Sequence, residues 1–106
     1  RPWKEQIIKY SADKYGTAKA ARAADLDGDG QIEIAVSCEA ANGAKSGVFY
    51  LKQNKSKWVD YDIGGPQGMK YDRIELLDLD GDGDLDLLTC EERDFNAVLW
   101  YENPLK

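Results

Sequence analysis

Apolar and polar positions alternate in short runs along most of the chain. Clusters of Gly, Asn, Asp and Pro separate the runs, and no run carries the spacing of a long amphipathic helix. The β-branched and aromatic residues gather in eight segments, 3–9, 18–24, 31–38, 47–52, 57–63, 71–77, 84–90 and 97–102, each of strand length. The Ala-rich stretch from Ala18 to Ala24 is short for a helix and ends directly in an aspartate loop. The pattern predicts an all-β chain.

The segments repeat. Asp25-Leu26-Asp27-Gly28-Asp29-Gly30-Gln31-Ile32-Glu33 returns 53 residues later as Asp78-Leu79-Asp80-Gly81-Asp82-Gly83-Asp84-Leu85-Asp86. Upstream, Trp58-Val59-Asp60-Tyr61-Asp62-Ile63 matches Trp3-Lys4-Glu5-Gln6-Ile7-Ile8. Downstream, Ser37-Cys38-Glu39 matches Thr89-Cys90-Glu91, and Val48-Phe49-Tyr50-Leu51 matches Val98-Leu99-Trp100-Tyr101. Four strands in a unit of about 50 residues is the size of a propeller blade. The chain therefore reads as a single two-blade unit over 1–106. The first repeat covers about 10–63; the second covers about 64–106 and takes its outer strand from a copy of 3–9.

Two blades cannot close a ring, since propellers use about 4–8, and an open pair would expose apolar faces and unpaired edges. The expectation is a cyclic homo-oligomer in which strand 3–9 of one chain completes the last blade of its neighbour. Four chains, giving eight blades, are favoured slightly over three.

The aspartate loops carry the candidate chemistry. Asp25, Asp27 and Asp29 alternate with glycines that allow a tight turn, and three clustered carboxylates repel one another unless a hard cation lies between them. Oxygen donors without Cys or His favour calcium over a transition metal. Position twelve of each loop is Val36 or Thr89 in place of a bidentate Glu, which excludes a helix–loop–helix calcium sensor. Position nine is acidic instead, Glu33 or Asp86, and opens into a strand.

These residues resemble the FG-GAP/VCBS repeats of calcium-binding β-propellers: Asp-x-Asp-Gly-Asp-Gly, two residues, then an acidic residue leading into a strand, with a Trp strand before it. The resemblance covers nearly the whole chain as two repeats. It implies two Ca²⁺ per chain, one held by Asp25, Asp27, Asp29, the Gln31 carbonyl and Glu33, the other by Asp78, Asp80, Asp82, the Asp84 carbonyl and Asp86. Glu33 departs from the more usual Asp. The resemblance also implies secretion, to an extracellular or periplasmic location in the parent protein. The opening Arg1-Pro2-Trp3-Lys4 is not a signal peptide, and no apolar run is long enough to span a membrane.

Charge changes the picture less than it first suggests. The chain has 20 Asp+Glu against 14 Lys+Arg, a net charge of -6. Nine of the acids lie in the two loops, so the acidity is a property of the loops, and the remainder is mildly basic without any concentrated Lys/Arg patch for nucleic acid. The absence of His removes the commonest general base, and no nucleophile constellation is visible. The expected role is non-enzymatic: a calcium-stabilised, self-assembling scaffold offering a face to a protein or glycan. The alternatives are the propeller part of a carbohydrate-active lyase or dehydratase, or an excised or engineered two-blade fragment without activity of its own. Candidate ligand-binding residues are Lys14, Tyr15, Lys70, Tyr71 and Arg73 on the long connections, with Glu39 and Glu91 on the turns. Arg22 and Glu75, 53 residues apart, are expected to pair between blades. Cys38 and Cys90 read as two buried free thiols.

Overall fold

The computed structural model describes residues 2–105. Within them lie two antiparallel sheets. The first has the order β1 (Thr17–Ala24), β2 (Glu33–Glu39), β3 (Val48–Asn54), β4 (Lys57–Asp62), and the second β5 (Tyr71–Leu77), β6 (Asp86–Glu91), β7 (Ala97–Tyr101). Seven expected strands form, all within two residues of their predicted limits. The repeat holds at the level of register: Ile34 pairs with Leu51 in the first sheet, and Leu87 with Tyr101 in the second. Both first strands are irregular at the matching place, between Ala18 and Ala20 and between Tyr71 and Ile74.

Strand 3–9 does not form. Residues 2–10 have no strand pairing, and in the first sheet β3 is already flanked by β2 and β4. The segment lies instead across the outer face of that sheet, where Ile8 and Tyr10 pack against Tyr15, Val36, Cys38, Phe49 and Leu51. Tyr15 stacks on Phe49 at a ring separation of 4.1 Å. Trp3 and Ile7 remain exposed.

The other face of the first sheet meets the second sheet. Ala35 and Val48 interlock there with Tyr71, Ile74 and Leu87, all nearly free of solvent. Full burial of side chains this size stabilises by about 1.5–3 kcal/mol each, so this seam is a main source of cohesion between the units. Polar bonds register it: Ser37 Oγ donates to the Asp72 carbonyl, and Arg22 Nε donates to the Ile74 carbonyl at 3.2 Å. The Arg22 guanidinium also lies 3.6 Å from Glu75, the pairing expected from the repeat.

The two sheets differ in their outer strands. β4 closes the first, with Tyr50 and Tyr61 paired across β3 and β4 and their rings 5.1 Å apart. The second sheet has no counterpart among the described residues, so β7 is a free edge; Val98 and Trp100 are exposed, and no sheet covers Val98 as the second sheet covers its equivalent Val48. This corrects the reading of the cysteines. Both thiols are free and Cys38 is buried, but Cys90 is exposed, because it lies opposite Val98 on the uncovered face. No helix in the described residues is long and apolar enough to cross a membrane.

Candidate metal centres

Each aspartate loop is a tight turn between the first and second strands of its sheet. Gly28 and Gly30 in one, Gly81 and Gly83 in the other, adopt φ between 78° and 96°, which L side chains rarely tolerate. The turns share most of their hydrogen bonds. Asp25 accepts from Gly28 and Gly30 N–H, each at 2.9 Å, as Asp78 does from Gly81 at 2.8 Å and Gly83 at 2.9 Å. Asp27 Oδ1 accepts from Asp29 N–H as Asp80 Oδ1 does from Asp82 N–H. Each N–H so used holds a carboxylate in place while its other lone pairs stay available.

The carboxylates converge. Asp25, Asp27, Asp29 and Glu33 each bring an oxygen within 4.8 Å of the others, and so do Asp78, Asp80, Asp84 and Asp86. Glu33, Asp84 and Asp86 are buried. Glu33 Oε2, both oxygens of Asp84 and Asp86 Oδ2 have no hydrogen-bond partner. A buried carboxylate oxygen without a partner is costly, and here the orphans lie within two acidic clusters. The donor set is all oxygen, so both clusters can hold a hard metal ion.

The repulsion is visible in the acids themselves. Close approach of the Asp82 carboxylate, then burial and the charges of Asp82, Asp86 and Asp80, push Asp84 up to about 6. Burial, then the nearby Asp82 carboxylate, raises Asp80. In the first loop the sign reverses at Asp27, which its hydrogen bond from Lys52 holds below the ordinary carboxylate range. Lys52 is raised in turn by Asp27 and Asp29.

Most of the expected acids therefore converge, with three differences. Asp84 enters its cluster with its side chain, where only its carbonyl was expected. Asp82 stands beside that cluster, its Oδ1 accepting from Asp84 N–H at 3.1 Å. Gln31 is exposed, and its N–H donates to Asp29 Oδ1 at 2.9 Å. Two participants carried no signal in the loop motif. Lys52 reaches in from β3, and Asn103, beyond β7, donates its Nδ2 to the carbonyls of Leu26 (2.6 Å) and Leu85 (2.9 Å) while its N–H bonds Asp86 Oδ1. Asn103 thus joins the two loops.

The candidate ligand-binding residues scatter. Glu39 and Lys70 line a polar cleft of about 400 Å³ between the turns of the two sheets, with Asn42, Met69 and Arg93. Glu39 also pairs with Lys19 at 3.6 Å, and Lys70 with Glu92 at 3.3 Å. Lys14 is exposed, and Arg73 is exposed beside Glu75. Tyr15 and Tyr71 are core residues, and burial raises both phenols, Tyr15 to about 12. Glu91 is buried and accepts five backbone N–H groups, from Met69, Lys70, Arg93, Asp94 and Phe95. Its oxygens are spent on clipping two loops together, which leaves them no role toward a ligand.

The fold and these loops define a tandem β-repeat protein with one acidic turn per unit. The chain belongs to the FG-GAP-like repeat family, whose model matches residues 25–89, more than half of its length and spanning both loops. Neither the curated proteins nor the solved structures contain a significant match to it.

Proposed function

We propose that the chain is a calcium-stabilised β-propeller module, non-catalytic and extracellular, whose blades assemble into a rigid scaffold for a protein or glycan ligand. The observation that carries this reading is the set of buried, unpartnered carboxylate oxygens in two matched loops. A Ca²⁺ in each loop would draw on these oxygens and cancel the repulsion among the acids, binding the native turn and not the unfolded chain. Each ion would tie the end of a first strand to the start of the second. Assembly is supported by the free β7 edge, by exposed Trp100, the counterpart of Tyr50 that Tyr61 of β4 covers in the first sheet, and by exposed Val98, the counterpart of Val48 that the second sheet covers. A second copy of the Trp3–Lys9 segment, which resembles β4 in sequence, is the occupant proposed for that edge, in a ring of three or four chains.

Molecular mass in solution, measured with millimolar calcium and again with a chelator, tests both halves. The reading predicts a discrete trimer or tetramer in calcium that dissociates on chelation. A compact monomer in both conditions would contradict the assembly.

A further inference from the structure

The two loops share a backbone but not a charge environment. In the first, the Lys52 ammonium contacts Asp27 Oδ2 and lies 3.1 Å from Asp29 Oδ2, so a cation already bridges two of the four converging carboxylates. The strand registers locate the counterpart of Lys52. Leu51 opposite Ile34 corresponds to Tyr101 opposite Leu87, which places Glu102 where the first unit has Lys52. Glu102 is exposed. Among the described residues no Lys or Arg pairs with Asp78, Asp80, Asp84 or Asp86. The buried acids differ in the same sense: the first loop leaves one buried oxygen unpartnered, at Glu33, and the second leaves three, at Asp84 and Asp86.

We propose that Lys52 acts as an internal counter-cation that competes with metal for the first loop, so that the two loops bind unequally. The second fills first, and the first fills only at higher metal concentration, as Lys52 is expelled from Asp27 and Asp29. This inference rests on the metal-binding reading above. Its physical basis is simple exchange. An oxygen that Lys52 holds is an oxygen the ion needs, and an ammonium left about 4 Å from a divalent ion is repelled by it. Lys52 side-chain atoms remain 31% exposed, so the ammonium has solvent to move into once displaced. The first loop would then report metal concentration through the position of one side chain on β3, while the second stays filled as a fixed staple.

Calcium titration calorimetry on the full chain decides it, with wild type, Lys52→Met, Lys52→Gln and Asp84→Asn compared. The expected result is two unequal sites in wild type. Removing the ammonium with either Lys52 variant should tighten the weaker site about tenfold and leave the tighter one unchanged. Asp84→Asn should weaken the tighter site only. Two equal sites, or a weaker site that neither Lys52 variant moves, would overturn the inference while leaving the metal reading intact. No calcium binding by any variant would remove the metal reading and the inference together.

Discussion

Single residues here do work that their type alone does not announce. Glu91 matches Glu39 by sequence, but the strand register puts it at the place of Cys38, and Glu39 pairs with Lys19 on the surface while Glu91 is buried under five N–H donors. Burial alone would raise its pKa, but the bonds from Met69, Phe95, Lys70 and Arg93 outweigh it and bring the carboxyl down to about 2 from 4.5. A folded pKa below the unfolded one gives stability that is complete above about pH 4.5 and is lost as pH falls towards 2. The shift corresponds to about 3 kcal/mol. Glu91→Gln should therefore lower unfolding free energy by about 2–3 kcal/mol at pH 7. Urea unfolding of both proteins should show that gap shrinking between pH 5 and 2.5, and a gap independent of pH would show that the charge does not matter. Neither this role nor that of Lys52 or Asn103 was legible in the sequence. Each depends on which loops meet in space, whereas the aspartates announced themselves because alternating carboxylates and glycines are the pattern of a tight turn that draws several acids together.

At the scale of elements, alternation located seven strands, because one face of each packs inward and period-two patterning follows directly from that. It failed at 3–9, where Trp3, Ile7 and Ile8 do not alternate cleanly and the strand rests on its match to 58–63. A strand needs an edge to pair with, and the chain uses the segment as a cover for the Phe49 cluster instead. The same dependence on neighbours explains Cys90. Its strand was correctly placed, but whether a face is buried is decided by what lies on it. The seam between sheets makes a sharper demand. A Cβ at Gly47 would run into the Tyr71 ring, which is itself packed among Val48, Ile74 and Leu87 and cannot give way. Gly47→Ala should cost about 1–3 kcal/mol by overpacking, read as a lower urea midpoint with an unchanged slope. An unaffected midpoint would mean that the seam is loose. Arg22→Glu, by contrast, acts on an ion pair roughly half exposed on both sides and should change stability by less than about 1 kcal/mol.

For the molecule as a whole, the outer face of the first sheet is covered by residues 2–10 and that of the second is bare. The exposed thiol offers a direct probe of the bare face. In the free chain Cys90 should react quickly with a thiol reagent while Cys38, buried and pushed up to about 11, stays inert. In calcium, at concentrations where the chain assembles, Cys90 labelling should slow at least tenfold if the β7 face is the one covered. Equal rates in both states would place the contact elsewhere. The FG-GAP-like family was legible before any coordinates, since two loops in register leave few other readings. What the coordinates add is that the loops' acids converge and that Glu33, Asp84 and Asp86 among them carry buried oxygens without partners.

That last point is the centre of the account, and thermal unfolding in the presence and absence of calcium tests it most directly. An ion bound only by the native loops, at a hundred times its dissociation constant, adds about 2.7 kcal/mol, which for a domain of this size raises the melting temperature by about 10 °C or more. The account predicts that rise in calcium, its reversal by a chelator, and its loss in a variant with Asp25→Asn and Asp78→Asn together. A melting temperature indifferent to calcium would contradict it.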